Sequence, residues 1–100
     1  MTITGETNFL IGDDHPSLPG HFPGHPVVPG VVVLSHVFSE LRLHLGDRQI
    51  VGIHRMKFLQ PILPLQKLRV EIGLQQSDRL PFKCWLGDAV AMEGTVLVGG

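Results

Sequence analysis

The chain has 100 residues, of which 43% are hydrophobic and 17% are charged, and its formal net charge is -1. This length predicts one domain spanning residues 1–100. The scattered basic residues and the near-neutral charge give no support to nucleic-acid binding. The excess of hydrophobic residues predicts an oligomer interface, a lipid-like ligand tunnel, or both.

The sequence also bears on the compartment. Cys84 is the single cysteine, so the chain has no internal disulfide, as is usual in a reducing compartment. Met1 is followed by the polar Thr2, Thr4 and Glu6, which argues against a signal peptide. No apolar run approaches the ~20 residues that a membrane-spanning helix needs. We therefore expect a cytoplasmic protein without a membrane partner.

The N-terminal half is predicted to contain a strand, a long loop and a helix. Residues 5–12 suggest a short strand ending at Gly12, and residues 13–29, rich in Pro, Gly, Asp and His, suggest an ordered functional loop. Residues 30–45 favour a helix that stops at Gly46. Because its first two turns are apolar nearly all round, we expect this helix to be buried on most sides. The apolar positions at helical spacing are Val31, Leu34, Phe38, Leu41 and Leu45, and the polar face holds Ser35, Ser39 and Arg42.

The second half of the chain is predicted to consist of strands. Apolar residues mark strands over 49–59 and 67–75, the latter with Leu68, Val70, Ile72 and Leu74 on one face. After a turn at residues 77–79, residues 81–86 and 89–98 predict a hairpin around Gly87-Asp88. One long apolar helix against antiparallel strands is an α+β arrangement.

Two motifs carry a resemblance to a known family. The first is His21-Phe22-Pro23-Gly24-x-Pro26-x-x-Pro29-Gly30-Val31, in which prolines and glycines fix the backbone around a histidine next to a helix start. The second is Lys57-Phe58-x-x-Pro61-x-x-Pro64. In order and spacing they resemble the signature of the hotdog-fold 3-hydroxyacyl-[acyl carrier protein] dehydratases.

The resemblance implies a fold and a set of partners. It implies a hotdog fold, in which an antiparallel sheet wraps round one long central helix, and a dimer whose two sheets join. Tunnels at the dimer interface would take the acyl chain, and a phosphopantetheine arm of an acyl carrier protein would deliver it as a thioester. Elimination of water from this substrate, in fatty-acid or polyene-type biosynthesis, needs no cofactor.

The resemblance also implies roles for individual residues. His21 matches the catalytic histidine of the family, and a neutral imidazole suits removal of the α-proton. The backbone N–H of Gly30 matches the donor to the thioester carbonyl, at a helix start that favours negative charge. The candidates for lining the tunnel are Phe22, Val28, Val31 and Val32.

Ser35 is where the sequence departs from the family. The family places a Glu or Asp fourteen positions after the histidine, and a serine hydroxyl is not acidic enough to replace it. His36 is rotated by about 100° round the helix, and Glu40 also faces elsewhere.

Several interpretations of this departure remain open. Ser35 can position a water in a weak dehydratase, or a related subunit can supply the acid in a heterodimer. The chain can also be a non-catalytic or half-site subunit that binds an acyl carrier or a partner dehydratase. A third class is an acyl thioesterase, although the proline-rich loop argues against it.

Other histidines and the cysteine invite different chemistry. His21 and His25 are four residues apart, but the intervening Pro and Gly forbid the helix that would place both on one face, so we predict no metal site. Cys84 lies in a predicted strand without a helix start or basic neighbour to activate it, so we expect a core or interface residue.

Overall fold

The computed structural model describes residues 2–12 and 27–99. The elements follow the predicted order of one strand, one helix and four further strands. They are β1 (Ile3–Phe9), α1 (Gly30–Leu45), β2 (Gln49–Phe58), β3 (Leu68–Gly73), β4 (Arg79–Leu86) and β5 (Ala89–Gly99).

The strands form one antiparallel sheet in the order β1-β3-β4-β5-β2. Val70 pairs with Cys84, and Cys84 pairs with Met92, so that fully buried side chains line up across the three central strands. This inner face covers the helix, which confirms the α+β prediction. Leu74 does not continue the inner face of β3, because the strand ends at Gly73 and the Leu74 side chain is exposed.

Helix α1 has the predicted bounds, but its buried face is rotated from the predicted one. The residues that it buries are Val33, Val37, Leu41 and Leu45. Val31, predicted to be on the buried face, is 72% exposed, whereas Leu34 and Phe38 pack against the edge of the core. The first two turns are apolar on nearly every side, so spacing alone did not select the face that meets the sheet. The prediction of burial on most sides is therefore wrong for the single chain.

Three predicted chain reversals are present. Gly46 ends α1 with a φ of +66°, and its N–H donates to the carbonyl oxygen of Arg42. Gly87 adopts a φ of +60° in the hairpin between β4 and β5. Ser77 has a φ of +58° in the turn closed by the bridge between Gln76 and Arg79.

The first strand begins and ends earlier than predicted. It covers Ile3–Phe9 rather than residues 5–12, because its pairing with β3 runs from Ile3 opposite Gly73 to Phe9 opposite Leu68. Ile11 lies beyond the strand, yet it is buried, and its carbonyl oxygen accepts a hydrogen bond from the Leu65 N–H at 2.8 Å.

Strand β1 is bound to the helix by side chains. The Thr7 hydroxyl donates to Oε2 of Glu40 at 3.0 Å. The Phe9 and His36 rings stack with centroids 5.4 Å apart and an interplanar angle of 8°. These contacts direct His36 and Glu40 toward β1, away from the Ser35 side of the helix.

Strand β2 forms the opposite edge of the sheet and is irregular. Its register against β5 shifts between Ile50 and Gly52 and again between Ile53 and Arg55. Val51, Ile53 and Phe58 are large apolar side chains that stay exposed on this strand. Within residues 2–12 and 27–99, no helix is long and apolar enough to cross a membrane.

Candidate active site

The start of α1 offers backbone donors. Pro29 precedes the helix in an extended conformation, and within residues 2–12 and 27–99 no side chain caps the helix start. The Pro29 carbonyl oxygen accepts hydrogen bonds from Val32 and Val33, whereas the Gly30 and Val31 amides have no hydrogen-bond partner among the described residues. Free N–H groups at a helix start carry partial positive charge, and such donors stabilise an oxyanion.

A cavity of about 480 Å³ opens beside these donors. It lies between the start of α1 and the segment that leaves β2. Its walls are Val27, Val28, Gly30, Val33, Phe58, Leu59, Gln60, Pro61 and Ile62. The size and the mainly apolar walls suit an acyl chain.

Backbone hydrogen bonds hold the two sides of the cavity together. The Val28 N–H donates to the Ile62 carbonyl oxygen at 2.7 Å, which ties the chain before the helix to the chain after β2. The Leu59 N–H donates to the Ala91 carbonyl oxygen at 2.8 Å and anchors the other wall on β5. Main-chain hydrogen bonds therefore fix the segments that carry the cavity walls.

Gly30 has a steric role in this site. A Cβ atom at this position would lie 3.2 Å from two carbon atoms of the Phe58 ring. The absence of a side chain lets the ring pack against the first residue of the helix. Because Phe58 is 51% exposed, its ring also forms part of the cavity mouth.

The structure places the predicted site residues in different environments. His21 and Phe22 lie outside the described residues. Val28 and Gly30 line the cavity. Val31 and Val32 are not among its walls: Val31 faces outward, and Val32 packs against the core.

Ser35 lies one turn beyond Val31 and is exposed. It does not line the cavity, and its carbonyl oxygen accepts the Ser39 hydroxyl at 3.1 Å. In the part of the chain that the structure describes, no carboxylate lines the cavity. Since Glu40 is held by Thr7, it does not take the place of the missing acid.

Four cavity residues were not predicted from the sequence as site residues: Phe58, Gln60, Pro61 and Ile62. The signal was present, because all four lie within the motif that begins at Lys57. The spacing of that motif does not by itself predict that the segment contacts the helix start. Only the packing of β2 beside the helix start shows that this segment forms half of the cavity wall.

The structure also bears on the predictions made for Cys84 and for a metal site. Burial raises the pKa of the Cys84 thiol to about 11, so it stays protonated near neutral pH and is a core residue, as predicted. Residues 2–12 and 27–99 contain no cluster of three His, Cys, Asp or Glu side chains that could hold a metal ion.

Several known proteins resemble this chain. A 3-hydroxyacyl-[acyl-carrier-protein] dehydratase FabZ from Alkalilimnicola ehrlichii is 31% identical over 94% of this chain and 69% of its own length. The corresponding protein from Koribacter versatilis is 30% identical over 77% of this chain and 58% of its own length. The chain thus spans between about half and two thirds of these curated relatives.

A solved structure gives the same fold. The dehydratase heterocomplex ApeI:P from Xenorhabdus doucetiae superimposes with a TM-score of 0.81 over 95% of this chain and 86% of the other, at 23% identity. This likeness confirms the hotdog fold. The family model described as ApeI-like, ApeI dehydratase, matches residues 3–95. With the apolar cavity at the start of its central helix, the chain belongs to the ApeI-like dehydratase family.

Proposed function

We propose that this protein removes water from 3-hydroxyacyl thioesters carried on an acyl carrier protein and produces enoyl thioesters. The observation that carries the proposal is the match of the dehydratase family model to residues 3–95. The apolar cavity supports it independently, since the backbone amides at one end have no partner in the part of the chain that the structure describes. The pathway in this proposal is fatty-acid or polyene-type biosynthesis, in the cytoplasm.

The reaction requires three contributions. A base removes the proton from C2, the electron pair forms the C2=C3 double bond, and the C3–O bond breaks as the hydroxyl leaves with a proton as water. In the proposed site the His21 imidazole is the base. The Gly30 N–H donates to the thioester carbonyl oxygen, where negative charge develops as the proton leaves.

The leaving hydroxyl needs an acid, and Ser35 is a poor one. We propose that its hydroxyl positions a water or that a second subunit supplies the acid. Two exposed surfaces support a dimer in which the sheets join through β2. They are the edge of β2 and the helix side that carries Val31 and Ser35. Either a second copy or a related hotdog subunit can occupy that edge.

The alternative function is a half-site or non-catalytic subunit that binds an acyl carrier or supports a partner dehydratase. The observation that favours it is the absence of a carboxylate from the cavity wall among the described residues. In this alternative the chain contributes His21, the Gly30 amide and the acyl cavity, and the partner contributes the acid.

The primary experiment supplies a 3-hydroxyacyl-carrier substrate to the purified protein and identifies the products by mass spectrometry. The proposal expects enoyl thioester from the parent protein and none from His21→Ala with unchanged circular dichroism. Free acid as the product would instead identify a thioesterase. No product from a folded protein that still binds the acyl carrier would identify the half-site subunit.

Ser35→Glu tests the missing acid. Ser35 does not line the cavity of its own chain, so the acid would act across the dimer, on the cavity of the other subunit. If the site is otherwise intact, a carboxylic acid at this position raises the dehydration rate by about two to four orders of magnitude, the usual worth of a positioned acid. Ser39→Glu, one turn further along the same exposed side of the helix, is the matched control. An equal rate in parent and Ser35→Glu would show that the missing carboxylate does not limit the reaction.

A further inference from the structure

We infer that the Gln60 side-chain amide binds the amide groups of the pantetheine arm at the mouth of the cavity. This rests on the proposed function, because the ligand is a pantetheine thioester. It adds a residue that selects the carrier arm rather than the acyl chain. Three features of the cavity wall support this role: its gradient of burial, the single polar side chain among its described residues, and the fixed backbone at Gln60.

The cavity has a buried floor and an exposed rim. Val28, Val33 and Ile62 are almost completely buried, whereas Phe58, Leu59, Gln60 and Pro61 are exposed. An acyl chain gains free energy by leaving water for the floor. The polar arm attached to the thioester must then pass over the rim toward solvent, where Gln60 lies.

Gln60 is the only residue with a polar side chain among the described residues that line the cavity. No described residue hydrogen-bonds to its amide group, whereas Oε1 of Gln66 accepts the Leu63 N–H at 2.8 Å and Nε2 of Gln75 donates to the Ser77 carbonyl oxygen at 2.9 Å. Among the described residues, the two donors and the acceptor of the Gln60 amide are therefore left for a ligand. Each secondary amide of pantetheine carries one donor and one acceptor, which are complementary to them.

The backbone around Gln60 is fixed, so the side chain starts from a defined position. The Gln60 N–H shares the Ala91 carbonyl oxygen with Leu59, at 3.3 Å. Pro61 follows and restricts the conformation of Gln60. A polar group on an otherwise apolar wall orients a ligand, and Gln60 lies on the exposed rim, where the polar part of the ligand leaves the apolar floor.

The test pairs a change in the protein with a change in the ligand. Binding is measured for a saturated acyl pantetheine and for the S-ethyl thioester of the same acid, which lacks the amides. Neither compound can be dehydrated. For Gln60→Leu we expect about two- to tenfold weaker binding of the pantetheine thioester, the usual worth of a neutral hydrogen bond. Binding of the ethyl thioester should not weaken by this factor.

Two further variants complete the test. Gln60→Glu keeps acceptors but loses the amide donors, so it should fall between the parent protein and Gln60→Leu. Gln49→Leu makes the same substitution at an exposed residue at the far end of β2 and should leave the affinity ratio of the two thioesters unchanged. An unchanged ratio in Gln60→Leu, or an equal shift in Gln49→Leu, would overturn the inference.

The two proposals fail in distinguishable ways. If the protein dehydrates 3-hydroxyacyl carrier substrates but Gln60→Leu leaves the affinity ratio unchanged, the function stands and the role of Gln60 is wrong. If no dehydration occurs but the ratio falls in Gln60→Leu, the pantetheine contact stands in a half-site subunit.

Discussion

The two edge strands of the sheet, β1 and β2, differ in how the described residues cover them. At the β1 edge, side chains of the strand bond and stack with the helix, through Thr7 with Glu40 and Phe9 with His36. At the β2 edge, the register is interrupted twice and Val51, Ile53 and Phe58 remain exposed. The β1 edge is bound to the helix, whereas no described residue completes the β2 edge in this way.

This difference bears on which sheet edge a partner subunit can occupy and how close it lies to the cavity. An unprotected apolar edge strand is an association hazard that natural proteins normally cover. Here the exposed edge ends at Phe58, which forms part of the cavity mouth beside the helix start. A partner on β2 would therefore sit next to the cavity, whereas a partner on β1 would meet the far side of the helix.

The first prediction tests whether subunits associate through the β2 edge. Ile53→Lys places a charge on an apolar edge residue, and the lost burial of one large aliphatic side chain per subunit should weaken association about tenfold or more. Sedimentation velocity over a concentration series measures the effect. Asn8→Lys, an exposed position on β1, should leave association unchanged. Equal association of Ile53→Lys and the parent protein would exclude β2 as the interface.

The second prediction concerns Cys84 on the central strand β4, which lies at neither edge of the sheet. Burial raises the Cys84 pKa from 9.0 to about 11, so the unfolded chain loses this proton at lower pH than the folded one. The contribution to stability is complete below pH 9 and is lost as the pH rises to 11, by roughly 2–3 kcal/mol. Denaturant unfolding across this range should show the loss in the parent and not in Cys84→Ala.

The third prediction compares added methyl groups near the two edges. A Cβ on Gly94 would lie 2.6 Å from the Arg55 carbonyl oxygen of β2, whereas one on Gly5 of β1 would lie 2.9 Å from Nδ1 of the exposed His44 side chain. Backbone cannot move aside as an imidazole can. Gly94→Ala should lower the free energy of unfolding by about 1–3 kcal/mol and Gly5→Ala by less. Equal losses in urea titrations would contradict a tighter fit at Gly94.

The fourth prediction concerns the contact that completes the β1 edge. Removal of the Thr7 hydroxyl in Thr7→Val leaves the Glu40 carboxylate without this donor and should cost about 1 kcal/mol of unfolding free energy. A double-mutant cycle with Glu40→Ala isolates the pair. Glu6→Ala, an exposed acidic residue on the same strand, serves as the control. Additive effects of Thr7→Val and Glu40→Ala would mean that the hydrogen bond contributes nothing to stability.

Local signals account for the parts of the fold that sequence predicted well. Pro29-Gly30 and Gly46 bracket α1, and Gly87 marks the hairpin, because each constrains its own backbone. The alternation in β3 identified its buried face. Both ends of β1 were predicted wrongly, because pairing with β3 sets where the strand begins and ends. Ile11 is as apolar as a strand residue, so the sequence pattern extended the strand too far.

The candidate site was predictable only in part. Gly30 was identified from a motif, and the cavity at that helix start is present. Phe58 and Gln60 were not assigned to the site, since they lie about 30 residues away in sequence and reach Gly30 only when β2 packs beside α1. Val31 was placed on the wrong face because helical turns that are apolar nearly all round do not specify which side is buried.

The sequence by itself determined the family, the order of the elements and the helix bounds, and it predicted that Ser35 stands where the family has an acid. These depend on residue identity and on interactions within a few positions of the chain. The tertiary structure decided which helix face is buried, which sheet edge is left apolar, and that Gln60 lies on the rim of the cavity. Those features depend on how distant segments share one packed volume, and no short-range pattern encodes that.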